Sequence, residues 1–286
     1  SSDEEFHRSM EEDFWPCPDD ADSKVLARLG IHGGSMLHEL LHAQPDLERD
    51  RTAITDTRQK APAEDPPAKL ERSIPKYPSI VLTSRRPEIF DVKEVIATEK
   101  LHGSNFRLHF PCGMTSLDDI QYGSHDTILG QTEKFPLNNM VMQFKNCPEQ
   151  LVSIWEVVKA YGFSDVTIFG EAFGPGINAK GVKYSTGQHP LFRAFDIMVG
   201  ENFLTYDLFC EVSDKMGLFR VPEVWRGPPT QEAFDALLDR VSTIGKLHGI
   251  DDPNNIAEGV VIRSNPLLRN VFGEWLIAKH KNKRFS

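Results

Sequence analysis

The chain has 286 residues, of which 40% are hydrophobic and 26% charged, so it is long enough to bury one large core or two smaller ones. No stretch approaches the roughly 20 apolar residues that a transmembrane helix needs, and the acidic start does not resemble a signal peptide. The four cysteines lie far apart without a C-x-x-C pair, which argues against a zinc site and a disulfide framework. We therefore expect an intracellular protein without membrane association, in the cytoplasm above all, with nucleus and organelle left open.

The net charge of −10 is concentrated near the N-terminus. Residues 1–22 carry nine acidic side chains and one arginine, and residues 1–75 have a net charge of −8. Residues 76–286 have a net charge of only −2, and the last 25 residues hold six basic groups and one acid. The acidic composition therefore describes the N-terminal part, and it does not exclude a polyanionic ligand for the remainder.

Residues 1–75 are predicted to form an acidic N-terminal extension. Apolar residues at helical spacing indicate a short helix pair within 23–49, interrupted by glycines. A polar, proline-rich segment over 51–75 is then typical of a linker or a surface arm. We place a domain boundary after this segment, with residues 76–286 as the second unit.

Short runs rich in Val, Ile and Phe follow Pro78, and each is predicted to be a β-strand. In chain order they are SIVLTS, VKEVIATEK, NFRLHF, VTIFGEAF, HPLFRAFDIMV, ENFLTYDLF, AEGVVIRS and EWLIAKHK. Two helices are predicted between them, over 148–162 and over 230–245, the second with Thr230 as its N-cap. Many strands and few helices, without strict alternation, indicate an α+β fold with mostly antiparallel sheets.

Two segments place reactive or acidic side chains beside turns. Lys100, in E-K-L-H-G-S-N, lies between two predicted strands, where a lysine with a depressed pKa can be a covalent nucleophile. A lone K-x-x-G is far more often an exposed turn. Glu171 lies before a Gly-Pro-Gly turn in F-G-E-A-F-G-P-G, and for it alone a surface glutamate is the simpler interpretation.

Three further segments carry aromatic, acidic or basic side chains on strands. F-R-A-F-D-I holds aromatic residues that either fill the core or stack on a base. Glu258 opens E-G-V-V-I-R, where a carboxylate can bind a hard cation. Lys279 and Lys281, in A-K-H-K-N-K-R-F, lie on one side of a strand and favour a bound anion such as a triphosphate, although a solvated basic tail is the simpler alternative. Five such segments in this order are improbable by chance.

Together these motifs resemble those of the covalent nucleotidyltransferases, which include polynucleotide ligases and mRNA capping enzymes. Over residues 78–286 they are most similar to the ATP-dependent RNA ligases of the group that contains bacteriophage T4 RNA ligase 2 and the kinetoplastid RNA-editing ligases. His102 favours an RNA ligase, because DNA ligases and capping enzymes usually have aspartate there. The resemblance implies a covalent nucleotidyltransferase (ATP-grasp-like) fold of two packed, mostly antiparallel sheets with flanking helices.

The resemblance also implies a mechanism. Lys100 would attack the α-phosphate of ATP and form lysyl-AMP. The AMP would pass to an RNA 5′-phosphate, and a 3′-hydroxyl would then seal the ends and release AMP. Lys279 and Lys281 would bind the phosphates, and Glu258 would organise Mg²⁺ or Mn²⁺. The other residues implied to contact the nucleotide, its phosphates or the metal are Glu99, His102, Asn105, Glu171 at the ribose and Phe195 on the adenine.

Two features depart from the family pattern. Histidine, His125, stands where the family usually has an arginine in a G-S-R-like element, and the chain ends directly after the double-lysine motif, where the phage enzyme has a further domain. Two alternatives therefore stay open: a DNA ligase or capping-type enzyme, and a non-catalytic RNA-end-binding protein of the same fold. Tests with RNA and DNA nicks, and with ATP and GTP, separate the first alternative from an RNA ligase. The intact Lys100, Glu171 and Glu258 argue against the second.

Overall fold

The computed structural model describes residues 74–130, 137–177 and 181–285. The predicted helix pair within 23–49 and nearly all of the proline-rich segment lie outside these residues. The predicted boundary after residue 75 stays a prediction. In the described part of the chain, no helix is both long and apolar enough to cross a membrane.

The described residues form ten strands in two five-stranded sheets. The first sheet has the order β1-β10-β9-β2-β8 and is antiparallel except for the β1–β10 pair, and the second has the order β4-β3-β5-β6-β7 and is wholly antiparallel. The predicted architecture of two mostly antiparallel sheets is therefore confirmed. The strands are β1 (Val81–Leu82), β2 (Val95–Lys100), β3 (Gly103–Phe110), β4 (Gln121–Gly123), β5 (Val166–Phe173), β6 (Leu191–Val199), β7 (Asn202–Phe203), β8 (Glu223–Gly227), β9 (Gly259–Ser264) and β10 (Ile277–Lys281).

Helices flank both sheets. Helix α2 confirms the helix predicted over 148–162, and its proline stands in the first turn, where the missing N–H costs no hydrogen bond. The second sheet buries its outer apolar side chains against α1, α2 and α3, and the first sheet packs on α4 through the fully buried Phe234. The helices are α1 (Asn138–Lys145), α2 (Pro148–Ala160), α3 (Tyr206–Lys215), α4 (Gln231–Ala236) and α5 (Thr243–Leu247).

Three predicted elements were wrong in type or extent. The run ENFLTYDLF is a strand only at Asn202–Phe203, because Thr205 then caps α3 by accepting from the backbone N–H of Leu208. SIVLTS pairs only over Val81–Leu82 before a short 3₁₀ turn. The structure also shows a helix that was not predicted, α1, which begins at Asn138.

The predicted helix over 230–245 is two short helices. Thr230 caps α4 as predicted, but α4 ends at Ala236. Val241 then pairs with Ile256, and Ser242 caps α5 by accepting from the N–H of Gly245. A bridge and a new cap thus replace the central turns of the predicted helix.

The inner faces of the two sheets meet in two apolar clusters. One contains Tyr77, Phe169 and Ile277, and the other contains Leu101, Phe173 and Tyr184. At the second cluster the chain crosses from β2 of the first sheet to β3 of the second through a two-residue turn that contains Leu101. Residues at this crossing therefore lie between the sheets.

Candidate active site

A cavity of about 240 Å³ opens between the sheets, and Lys100 lines it. Lys100 is the last residue of β2, directly before the crossing to β3. Its Nζ lies 2.9 Å from Oε2 of Glu258, and its side chain is 22% exposed. The candidate nucleophile is therefore both reachable from solvent and held by a buried carboxylate.

Glu258 is the centre of the charged groups. Its side chain is 5% exposed and lies 2.9 Å from Nζ of Lys100, 3.0 Å from Nζ of Lys281 and 3.3 Å from Nδ1 of His102. Burial alone would raise the pKa of Glu258, but the Lys100 and Lys281 ammonium groups outweigh it and hold the pKa below its usual range. The carboxylate is therefore ionised and ready to bind cations.

Backbone geometry brings these charges together. Gly259 pairs with Lys100 on one neighbouring strand and with Lys281 on the other. Its φ is +153°, and a Cβ there would lie 2.1 Å from the carbonyl oxygen of His280. Only glycine fits, so the residue before it, Glu258, is delivered between two lysines.

Lys279 and Lys281 both face this cluster from β10. Lys279 lines the cavity, and burial together with the Lys100 and Lys281 ammonium groups lowers its pKa. Nζ of Lys281 also donates to the backbone carbonyl of Phe285 at 2.7 Å. Because side chains alternate along a strand, His280 points to the opposite face of β10. It forms hydrogen bonds there with Thr83 and Asp235, outside the cavity.

Glu171 and Asn105 face each other across β5 and β3. A side chain on Gly103 would lie 2.9 Å from Cγ of Glu171 and 2.3 Å from the carbonyl oxygen of Ala172, so glycine lets β3 approach the glutamate closely. Oδ1 of Asn105 is buried and has no hydrogen-bond partner among the residues that the structure describes. The site therefore holds an acceptor that a ligand can satisfy.

Desolvation, opposed by the Lys100 ammonium, raises the pKa of Glu171 to about 8. Because this value exceeds the 4.5 of an unperturbed glutamate, the unfolded chain loses the proton first, and stability falls as the pH rises from about 5 to about 8 and then levels off. Glu171→Gln should remove this dependence. The melting temperature of the variant, relative to that of the wild type, should therefore rise as the pH is raised from about 5 to about 8. Thermal unfolding at several pH values measures it. The exposed Glu201→Gln is the control, and parallel curves for wild type and Glu171→Gln would contradict the assignment.

A β-bulge directs Phe195 into the cavity. In the β5–β6 ladder Phe169 pairs with Asp196 and Gly170 pairs with Ala194, so Phe195 is the extra residue. Its ring contacts Tyr77 edge to face at a centroid distance of 4.9 Å. Phe192, the other aromatic of the motif, is buried in the helix-covered core instead.

The far wall of the cavity contains residues that the sequence analysis missed. Tyr77 donates to Oδ2 of Asp196 at 3.0 Å, and Nη1 of Arg263 lies 3.0 Å from the same oxygen. Nε and Nη2 of Arg263 are buried and find no hydrogen-bond partner within the described part of the chain, and Arg263 lines the cavity. Tyr77 precedes the first strand, and no pattern in its segment signals a site.

Glu99, His102 and His125 occupy different positions around the cluster. Glu99 lines the cavity, but its carboxylate accepts from Oγ of Ser242 and from N of Thr243. His102 lies against Glu258 and beside the ring of Phe285. His125 lines the cavity and lies 2.8 Å from the exposed Asp126, which also binds Lys76.

A family model described as RNA ligase matches residues 93–281. The chain belongs to the RNA ligase family. The match begins just before β2 and ends at Lys281, so it contains Lys100, Glu258 and both lysines of β10, whereas Tyr77 lies outside it.

Solved structures of Naegleria gruberi RNA ligase share the fold. A mutant of that enzyme with ATP and Mn has a TM-score of 0.53 at 16% identity, over 74% of this chain and 57% of that one. The same ligase with PPi has a TM-score of 0.52 at 16% identity, over 77% of this chain and 62% of that one. The alignments thus span less than two thirds of the ligase chains. No curated protein sequence matches the chain.

The residues of the cavity fit a nucleotide and a divalent cation. The unpartnered donors of Arg263 and the acceptor of Asn105 face a space that Phe195 and Tyr77 bound with apolar rings. The described residues contain no group of three or more His, Cys, Asp or Glu that could hold a metal alone. A cation beside Glu258 would therefore share its coordination with phosphate oxygens and water, as Mg²⁺ commonly does.

Proposed function

We propose that the chain is an ATP-dependent RNA ligase that forms a lysyl-AMP intermediate on Lys100. The observation that carries the proposal is the convergence of Lys100, Lys279 and Lys281 on one buried carboxylate, at the mouth of an aromatic cavity. Three ammonium groups at close range repel one another unless anions separate them. Glu258 supplies one anion, and a polyphosphate would supply the others.

The first step would join Lys100 to the α-phosphorus of ATP. The neutral amine attacks phosphorus, and the bond to the bridging oxygen of pyrophosphate breaks. The nitrogen, which becomes positively charged as the N–P bond forms, then loses one proton to solvent. Lys279 and Lys281 neutralise charge on the phosphate oxygens, and a divalent cation beside Glu258 would polarise the phosphate and stabilise the leaving group. Release of Lys100 from its ion pair with Glu258 precedes attack.

The second and third steps would use the same cations on RNA. An oxygen of the RNA 5′-phosphate attacks the α-phosphorus, the N–P bond breaks, and Lys100 regains its proton. The 3′-hydroxyl then attacks the RNA phosphorus, and AMP leaves as the phosphodiester bond forms. Support for RNA as the substrate comes from the family, and the 5′-phosphate and 3′-hydroxyl ends are part of the proposal.

Phe195 is proposed to stack on the adenine. Phe195→Leu keeps an apolar side chain but removes the ring, so we expect the Kd for ATP to rise about 10-fold, in the range measured for lost base–aromatic stacking. Phe195→Tyr keeps the ring and is the matched control, with an expected affinity close to that of the wild type. Equilibrium binding of fluorescent ATP measures both. Equal affinity for all three proteins would remove Phe195 from the base site.

Ligation of defined nicks tests the function. The protein is incubated with α-labelled ATP and Mg²⁺ or Mn²⁺, and label on the protein is followed into duplexes with an RNA or a DNA nick. Label on protein, followed by sealed RNA, supports an RNA ligase. Preferential sealing of DNA, or label from GTP but not ATP, would point to the DNA ligase or capping-type alternative. Absence of label from folded protein would favour the non-catalytic RNA-end binder.

A further inference from the structure

The two-residue turn that follows Lys100 is held from both sides by buried polar groups. The turn carries the chain from one sheet to the other, so its backbone sets the position from which the Lys100 side chain enters the cavity. Glu99 and the backbone of His102 flank Lys100, and they are held by groups from chain segments remote from the turn, all of which lie outside the cavity. We call this set the polar ring and define it as Glu99, Lys183–Tyr184, Ser242, Asn255 and the backbone of His102.

Glu99 is the first side of the polar ring. Its side chain points away from that of Lys100, as expected for neighbours in a strand, and it is 3% exposed. Oε1 accepts from Oγ of Ser242 at 2.6 Å, and Oε2 accepts from the backbone N of Thr243 at 2.7 Å. Both carboxylate oxygens thus tie the residue before Lys100 to the start of α5.

Tyr184 is the second side. Its hydroxyl accepts from the backbone N–H of His102 at 2.7 Å, and the residue is 2% exposed. Its ring packs edge to face on Phe173, with the ring centroids 5.0 Å apart. The hydroxyl is therefore fixed in place, and it holds the residue two positions after Lys100.

Asn255 joins the two sides. Its side chain accepts from the backbone N of Lys183 at 2.8 Å and donates to the carbonyl of the same residue at 2.7 Å. Its own carbonyl accepts from N of Ser242 at 2.8 Å. A Cβ on Gly245 would lie 2.4 Å from Nδ2 of Asn255, so the backbone of α5 packs closely against this side chain.

We propose that Tyr184 is a positioning residue that holds the Lys100–His102 turn, through the polar ring, in the geometry required for attack on the nucleotide. This inference rests on the proposed function, since it assigns the ring to the orientation of the same nucleophile. Neither Tyr184 nor Ser242 nor Asn255 lines the cavity, so their effect reaches the reaction through the backbone. A displacement of about 1 Å at a reacting group costs about 100-fold in rate.

Tyr184→Phe is the main test, because it removes only the hydroxyl. We expect the rate constant for covalent AMP formation to fall by about 10- to 100-fold, while the Kd for ATP stays within about twofold of the wild-type value. Ser242→Ala breaks the ring at its other end and should act in the same direction. Tyr122→Phe is the matched control: Tyr122 is also buried, and its hydroxyl has no hydrogen-bond partner in residues 74–130, 137–177 and 181–285.

Amide hydrogen exchange at His102 provides a readout that does not need activity. The His102 amide should exchange about 10-fold faster or more in Tyr184→Phe, and at the wild-type rate in Tyr122→Phe. Unchanged exchange in Tyr184→Phe would show that the Tyr184 hydroxyl does not hold the turn. Faster exchange with an unchanged rate of AMP formation would show that the polar ring has no positioning role in the reaction. If the wild type takes no label, the proposed function fails, and the exchange comparison alone decides whether the ring holds the turn.

Discussion

Lys100→Ala is expected to lose covalent AMP labelling by about 10⁴-fold or more, the scale of loss when a nucleophile is removed. The fold should survive, because Glu258 keeps Lys281 and His102 as partners. Incubation with α-labelled ATP and a divalent cation, followed by denaturing electrophoresis, measures the label. Treatment with acid and with hydroxylamine identifies the bond, since a phosphoramidate is labile to acid at elevated temperature and resists neutral hydroxylamine.

Lys100→Arg separates the nucleophile from its charge. The guanidinium can keep an ion pair with Glu258, but it stays protonated and has no free electron pair for attack. We therefore expect no label with Lys100→Arg, while ATP still binds. Lys159→Ala, which removes an exposed ion pair on α2, should label like the wild type. Labelling of Lys100→Arg at the wild-type rate would assign the nucleophile to another side chain.

Glu258→Gln is expected to lower the metal-dependent rate of AMP formation by about 10²-fold or more, the usual loss when a charge-stabilising group is removed. Glutamine keeps the size of the side chain and can still accept a hydrogen bond, but it lacks the negative charge that Lys100 and Lys281 share. Single-turnover labelling over a titration of Mg²⁺ and of Mn²⁺ measures the effect. A raised metal concentration for half-maximal rate would show that the carboxylate binds the cation.

A surface carboxylate serves as the control for this change. Glu156→Gln removes a negative charge from an exposed ion pair on α2 and should leave the metal titration unaltered. Glu258→Ala should lose as much activity as Glu258→Gln. A metal titration of Glu258→Gln that coincides with that of the wild type would remove Glu258 from the metal site.

The charged cluster was grouped from the sequence by the order of the motifs and their resemblance to the RNA ligases. The structure shows why its members meet: Lys100 ends β2, Glu258 precedes β9 and Lys281 ends β10, and antiparallel pairing sets these positions side by side. That pairing was not predicted. Their roles in the reaction stay predictions.

Residues joined only by tertiary contacts were beyond the reach of local patterns. The sequence pattern predicts only that Arg263 lies in a strand, and no neighbouring residue in the sequence indicates that it pairs with Asp196 on the other sheet. Tyr184 follows a segment without periodicity, yet its hydroxyl holds the turn after Lys100. Such contacts depend on how two sheets are stacked, which alternation within one strand does not encode.

Helix α3 shows the opposite case, in which a strand-like composition was misleading. Its first residues are aromatic and apolar, as in a strand, but the Thr205 cap sets a helical start. Tyr206, Phe209, Val212 and Met216 then bury one helical face in the core. Packing at helical spacing thus outweighed the local β preference.

The segment before β1 has a consequence for the design of shortened proteins. Pro75 accepts through its carbonyl from Nη1 of the buried Arg107, Ile74 is itself buried, and Tyr77 closes the cavity against Asp196. A protein trimmed to the start of β1 would keep every residue of the family match yet lack one wall of the cavity that we propose as the nucleotide pocket. Expression boundaries for crystallisation or for inhibitor screening should therefore be set before Ile74.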